Sequence, residues 1–317
     1  MLKCKPDYIC KIYLTFVLKF IRMIEDIKVV DRLQKEGLKF SILIPTWNNL
    51  PYLINAVESI RQHSFYKHQI IVHINEGKDG TSDWVNAQPD IDYTHSFNNI
   101  GLCFGLNAGR QLVKTEYMIY LNDDMYVLPD WDKYLAEEIE KIGHHLFFLN
   151  GTGIEPYAGN PCIIHKDYGT DIQSFNKEKL LEEYNSFEKE DWQAGSWSPS
   201  VMHVSVWDLI GGYSVEFSPA HYSDPDVAMK LWYAGVRNFK GVSKSRVYHF
   251  GSKSTGRFKK PKAYYRFILK WGMTAGTFTK YYLQMGKPYN GPLPEPVFGR
   301  SMKLKNMFKQ IVAIFKT

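Results

Sequence analysis

The sequence predicts an α/β fold with a mostly parallel central sheet. Two observations carry this expectation. Along residues 39–150, short apolar runs of strand length alternate with segments whose apolar residues recur at helical spacing. Polar clusters follow three of those runs: Thr46-Trp47-Asn48, Asn75-Glu76-Gly77 and Asn122-Asp123-Asp124. The carboxyl ends of strands are where open α/β sheets hold their ligands.

The elements follow in order. The first strand is "KFSILIP", residues 39–45, an apolar run stopped by Pro45. Residues 51–63 form a helix with Leu53, Val57 and Ile60 on one face. "QIIVHI" at 69–74 is the second strand, and the polar, Gly-rich "NEGKDGT" after it is a loop. Trp84 and Val85 mark a short helix, and "DYTHS" is a weaker third strand. A helix over 101–113 leads to the fourth strand, "EYMIYL" at 116–121. A helix over 130–142 leads to "HLFFLN" at 145–150. Strands joined through helices lie parallel in one sheet.

Composition narrows the function. The chain has 317 residues, 44% hydrophobic and 23% charged, which excludes wholesale disorder. The 15% aromatic content either fills the core or supplies flat faces for sugars. Cys4, Cys10, Cys103 and Cys162 form no CxxC pair, which argues against a disulfide framework or a thiolate zinc site and fits a reducing, cytoplasmic setting. The longest apolar run, Ile9 to Ile24, is interrupted by Lys11, Lys19 and Arg22, so neither a spanning helix nor a signal peptide is expected. No GxGxxG follows the first or second strand and no GxxxxGK[ST] occurs, so hydride transfer and P-loop phosphoryl transfer lose their main support.

Charge is uneven. From Lys253 to Thr317 there are fourteen Lys or Arg against one acid, Glu295, a net of +13, so the rest of the +6 chain carries 6 − 13 = −7. A basic end on an acidic body points to an anionic partner: membrane headgroups, a phosphate-bearing substrate or nucleic acid. A solvated basic face is the alternative. No nucleic-acid-binding motif accompanies the charge, so nucleic acid is not expected. In the last stretch Lys303, Lys305, Lys309 and Lys316 interleave with Met307, Phe308, Ile311, Val312 and Phe315 at helical spacing. That is a basic amphipathic helix, suited to an anionic membrane surface or to packing on the main domain. Tyr8 to Ile24 has a similar character. The chain is therefore expected to be cytoplasmic, with peripheral attachment to the inner face of a membrane as an option.

"YLNDDMYVLPDWD" is the most informative segment: an apolar strand ends abruptly in Asn122, Asp123 and Asp124. Adjacent carboxylates repel unless a cation joins them, and Asp and Asn oxygens suit Mg²⁺ or Mn²⁺. By itself the pair also reads as a solvated acidic turn. Around it stand "FSILIPTWN", "IIVHINEGKDGT" and "NNIGLCFGLNAG", and downstream "WDLIGGYSVEF", "YSDPDVAMKLWYAGV" and "VYHFGSKST". In this order, over about Lys39 to Thr255, they resemble the family 2 glycosyltransferases. The resemblance implies a GT-A-like, nucleotide-sugar-binding α/β/α sandwich. It implies inverting transfer from a nucleoside-diphosphate sugar to a saccharide or lipid-linked saccharide, with Mn²⁺ or Mg²⁺, in polysaccharide biosynthesis.

The resemblance also implies roles for particular residues. Thr46, Trp47 and Asn48 would line the nucleotide pocket, and Asn75 would read the base with Glu76 as its polar neighbour. Asn107 would lie near the ribose or diphosphate, although Leu106 stands where the family often has Arg. Asn122-Asp123-Asp124 would be the DxD-type site, with Asp124 the metal ligand and Asn122 touching the sugar. His249 would complete the metal or diphosphate site, and Lys253 and Ser254 would contact diphosphate. Asp224 would be the base, with Asp226 the fallback and Ser223 in place of the family's Glu. Ser-Asp-Pro-Asp also reads as a helix N-cap. His221 and Tyr222 would shape the acceptor site, and Trp192 and Trp197 either stack on the acceptor or fill the core. The expected layout is an N-terminal amphipathic segment 1–38, a catalytic domain 39–255 with donor half 39–150 and acceptor half 151–255, and a basic extension 256–317. A catalytically silent nucleotide-sugar-binding or carbohydrate-binding module is the alternative function.

Overall fold

The computed structural model describes residues 27–32, 36–195, 197–251 and 263–316. Most of the expected N-terminal amphipathic segment, and Lys253 and Ser254, lie outside the described residues.

The described strands are β1 (Lys28–Val30), β2 (Ser41–Trp47), β3 (Gln69–Asn75), β4 (Ile91–Ser96), β5 (Tyr117–Tyr120), β6 (Met125–Val127), β7 (Phe147–Glu155), β8 (Ile164–His165), β9 (Trp192–Gln193), β10 (Ser200–His203) and β11 (Asn238–His249). They join one sheet in the order β1-β4-β3-β2-β5-β10-β7-β11-β6, with β8 beside β7 and β9 beside β11. The block β4-β3-β2-β5 is parallel, as is β7 with β11. Antiparallel partners lie outside these: β10 bridges β5 and β7, and β6 pairs with β11.

Helices cover both faces. On β2 the side chains alternate: Ile42 and Ile44 pack in one core with Leu53, Val57 and Ile60 of α1 (Leu50–His63), Val85 of α2 (Thr81–Ala87) and Leu135 and Ile139 of α4 (Trp131–Ile142). Leu43 and Ile71 face a second core with Cys103 and Leu106 of α3 (Leu102–Arg110), and with α6 (Val204–Ile210) and α7 (Ser223–Tyr233). Strands covered on both faces read as unbroken apolar runs, which is why these were legible. α5 (Lys177–Glu183) packs over a third cluster through Leu180. The chain continues through α8 (Ala263–Trp271), α9 (Ala275–Tyr281) and α10 (Arg300–Lys316).

Three elements differ from the expectation. β2 continues past Pro45 to Trp47, because Pro45 lies beyond the end of β5 and β2 has a ladder neighbour on one side only there. A short strand, β6, follows the Asn122-Asp123-Asp124 turn before α4 starts at Trp131. β7 runs through "NGTGIE" to Glu155. At Gly151 a Cβ would lie 2.7 Å from Pro199 Cγ, so the glycine permits close packing inside the strand, past residue 150 where the sequence reading ends it.

Candidate active site

Two adjacent clefts open at the carboxyl ends of the parallel strands. The first, of about 590 Å³, is lined by Thr46 and Trp47 from β2, Asn75 from β3, Asn99 before α3, and the β5–β6 turn Asn122-Asp123-Asp124. The second, of about 1030 Å³, is lined by Glu155, Trp197, Asp224 and His249. Leu102, Tyr120, Asn122 and Ala220 line both, so the clefts share a wall.

In the first cleft the acidic turn is held from several sides. The Thr46 hydroxyl donates to Asp123 Oδ2 at 2.8 Å. The Asn122 N–H donates to Ser198 Oγ at 2.9 Å, and the Phe250 N–H to the Asp124 carbonyl at 3.2 Å. Asp123 and Asp124 are both buried. Asn75 Oδ1 accepts from the Ile100 N–H at 2.9 Å, which ties β3 to the start of α3. Gly101, at the head of α3, has φ +82°, and a Cβ there would stand 2.7 Å from Pro219 Cα. Glycine thus lets the α3 loop touch the 218–220 segment that walls both clefts. Asn48 and Glu76 do not line the cleft: Asn48 Nδ2 donates to Glu76 Oε2 at 3.0 Å. Burial raises the Glu76 pKa, but hydrogen bonds from Asn48 and Trp47 outweigh this and hold it below the usual carboxylate range.

His249 ends β11 between two carboxylates. Its Nδ1 lies 2.8 Å from Glu155 Oε1 and its Nε2 3.3 Å from Asp124 Oδ1. Burial alone lowers the imidazole pKa, but Asp124 and then Glu155 overcome it and raise it to about 10. Glu155 escaped the sequence reading. Its signal was an acid closing an apolar stretch, hidden by the glycines before it.

Asp224 lies in the first turn of α7 and lines the second cleft. Burial pushes its carboxyl up to about 7, against the lowering by the Tyr213 hydroxyl that donates to it. Its Oδ1 is buried with no hydrogen-bond partner. The residue before Ser223, Tyr222, has φ 68° and offers α7 no side-chain cap. The Ser223 hydroxyl instead donates back to the Ala220 carbonyl at 2.5 Å, so the expected N-cap is not formed.

Several expected site residues are engaged elsewhere. Asp226 is fully buried and accepts from Trp271 Nε1 and Lys270 Nζ, each at 2.8 Å. Two residues apart on a helix, Asp224 and Asp226 point about 200° apart, so they cannot share a cleft. Asn107 is bonded both ways to the Tyr213 backbone at 2.8 Å, which spends its amide on the Gly212-Tyr213 turn. The Tyr222 ring packs on Tyr264 and Phe267 and lines neither cleft. His221 also lines neither, and its Nε2 is buried without a hydrogen-bond partner.

The two tryptophans divide. Trp192 is buried in the core, with its indole N–H donating to Thr152 Oγ1 at 2.9 Å. Trp197 lines the second cleft and stacks on Trp192, ring centroids 5.7 Å apart. Trp192→Ala is expected to lower unfolding free energy by about 3–5 kcal/mol in urea titration, the range for emptying a buried aromatic site. A loss below about 1 kcal/mol would mean that the site collapses without cost.

Residues 41–183 match the family described as Glycosyl transferase family 2. The chain is 27% identical over 177 residues to the GalNAc(5)-diNAcBac-PP-undecaprenol β-1,3-glucosyltransferase of Campylobacter jejuni, covering 54% of this chain and 53% of that one. It spans 26% to 57% of the length of the curated relatives it matches. In fold it is similar to S. aureus TarS 1–349, with TM-score 0.53, 12% identity, and 88% of this chain and 72% of that one covered. It is also similar to GalNAc-T7, with TM-score 0.51, 16% identity, and 68% of this chain and 44% of that one covered. Both likenesses are to the GT-A fold.

Proposed function

From the match of residues 41–183 to glycosyl transferase family 2 we propose that the chain moves a sugar from a nucleoside-diphosphate sugar to a saccharide or lipid-linked saccharide, with inversion and with a bound Mn²⁺ or Mg²⁺. The observation that carries this reading is the shared wall: strand-end carboxylates line one cleft and a carboxyl poised near neutrality lines the other. The ligands held by two of the fold neighbours support the donor class. One is TarS in complex with UDP-GlcNAc, and another is GalNAc-T7 with UDP, GalNAc and Mn²⁺. The name of the Campylobacter relative, a glucosyltransferase acting on a PP-undecaprenol-linked saccharide, supports a lipid-linked acceptor.

In this reading residues 39–255 are the catalytic domain, with the donor half at 39–150 and the acceptor half at 151–255. Thr46, Trp47 and Asn75 hold the nucleoside, and Asn122 meets the sugar at the shared wall. Asn48 and Glu76 brace the end of β2. Lys253 and Ser254 contact the diphosphate. Asp124 and His249 would hold the cation, which requires His249 Nε2 to give up the proton that Asp124 now stabilises on it. Their donor atoms already converge, and the His249 Nδ1 contact with Glu155 orients the ring with Nε2 toward Asp124. Two protein ligands suit Mg²⁺ or Mn²⁺ that takes its remaining ligands from phosphate and water. When bound, the cation offsets the charge on the departing diphosphate.

Asp224 takes the proton from the acceptor hydroxyl as that oxygen attacks the anomeric carbon. A base with a pKa near the working pH combines a useful ionised fraction with enough driving force. Trp197 offers the acceptor an aromatic face, backed by Trp192. Attack from the second cleft, across from the diphosphate in the first, inverts the anomeric centre.

The protein works in the cytoplasm, peripheral to an anionic membrane surface where a lipid-linked acceptor is presented. Among the described residues no helix is long and apolar enough to cross a membrane. The test of the catalytic reading is a calorimetric panel of nucleoside diphosphates with and without Mn²⁺, followed by NMR of the product. One base should bind in a metal-dependent way, and the product anomer should be opposite to the donor's. Retention of configuration would remove the single-displacement role of Asp224.

A further inference from the structure

α10 packs against the protein the wrong way round for a globular helix. Its buried residue is Ala313, and Gln310 Nε2 on the same side donates to the Gly272 carbonyl, at the end of α8, at 2.7 Å. The large apolar residues Leu304, Met307, Phe308, Ile311, Ile314 and Phe315 are all exposed, Phe308 at 67% and Phe315 at 83%. At 100° per residue they occupy one arc of about 120°, opposite Ala313. Amphipathic helices normally turn such an arc inward, so this one is built to be covered by something outside the described fold.

Charge decides what covers it. α10 carries Arg300, Lys303, Lys305, Lys309 and Lys316 and no acid. Lys303 borders the apolar arc on one side, Lys305 and Lys316 follow about 60° and 80° beyond its other edge, and Arg300 projects within it at the start of the helix. A second copy docked through the same face would set five positive charges against five, whereas an anionic lipid surface meets both the apolar arc and its basic borders. We propose that this face of α10 is a membrane-docking surface that lies in the headgroup region of anionic lipid, with Phe308, Ile311 and Phe315 as its central anchors. This deepens the peripheral placement proposed above and rests on it. What is added is the surface: one exposed face of one helix, already fixed to the catalytic body through α8.

The experiment is co-sedimentation of the full chain with vesicles of phosphatidylglycerol and phosphatidylcholine, and with phosphatidylcholine alone. Wild type should pellet with the anionic vesicles at low salt and be released as salt rises. Phe308→Glu combined with Ile311→Glu should weaken partitioning by at least about tenfold, since two apolar anchors become acids facing anionic lipid. Both positions are exposed, so the thermal midpoint and transfer to a soluble acceptor should stay at wild-type values. If wild type binds anionic vesicles and the variant binds equally well, this face is not the docking surface, although the peripheral placement survives. If wild type binds neither vesicle, the peripheral placement itself fails. If wild type ignores vesicles and the variant converts a dimer to a monomer in sedimentation velocity, the face is a protein interface and the proposal is overturned.

Discussion

Asp224→Asn should lower sugar transfer by about 10²-fold or more, the usual size of a general-base effect, while leaving donor affinity at the wild-type value. The substitution preserves size and the contact with the Tyr213 hydroxyl, so it removes the ability to accept a proton and little else. In wild type the turnover rate should rise with pH through about 7, where the buried carboxyl ionises, and level off above it. That limb should vanish in the variant. Stability carries a second signature. The folded-state pKa is raised from 3.8 to about 7, so the native protein holds a proton that the unfolded chain has released over that window. The group's favourable contribution is fully present below pH 3.8 and is lost as pH rises through about 7. Asparagine incurs no such loss, so at pH 8 the variant should unfold at a higher temperature than wild type. Near-normal turnover would sink the assignment, and lost donor affinity would make Asp224 a binding residue.

Asp124→Ala should weaken metal-dependent binding of a nucleoside diphosphate by at least about 10²-fold, since removing even an outer-shell partner of a metal site typically costs 10–100-fold. Calorimetry with Mn²⁺ present should then give the same weak affinity as calorimetry without it. The fold should persist. The bond from the Phe250 N–H reaches the Asp124 carbonyl, which alanine retains, and Thr46 still holds Asp123. Unchanged affinity with Mn²⁺ would remove Asp124 from the cation site. A large fall in the thermal midpoint would show instead that its carboxylate is needed to keep His249 and Glu155 in place.

Glu155 and Asp226 show where the sequence stops informing. Nothing local distinguishes Asp224 from Asp226 by type. The helix they share turns one toward the cleft, while Trp271 and Lys270, arriving 45 and 44 residues later, close over the other. Glu155 meets His249 across 94 residues, and Asn107 is taken by Tyr213 across 106. Trp192 and Trp197 are equally aromatic and five residues apart. Trp192 fits over Gly241, where even a Cβ would come within 1.9 Å of its ring, and Trp197 is left to line the cleft.

The sequence by itself determined the parallel strands β2, β3 and β5, the helices between them and the acidic turn that follows β5. Apolar periodicity is a local record of which backbone is covered on which face, and a strand end is marked by the abrupt change to polar residues. It also determined that α10 has an apolar stripe bordered by lysines. Only the tertiary structure decided that this stripe faces outward, that Asp226 is sealed away and that Glu155 joins His249. Those outcomes depend on which distant segment reaches a side chain first and satisfies its hydrogen bonds or buries its surface, and a local pattern carries no record of that competition.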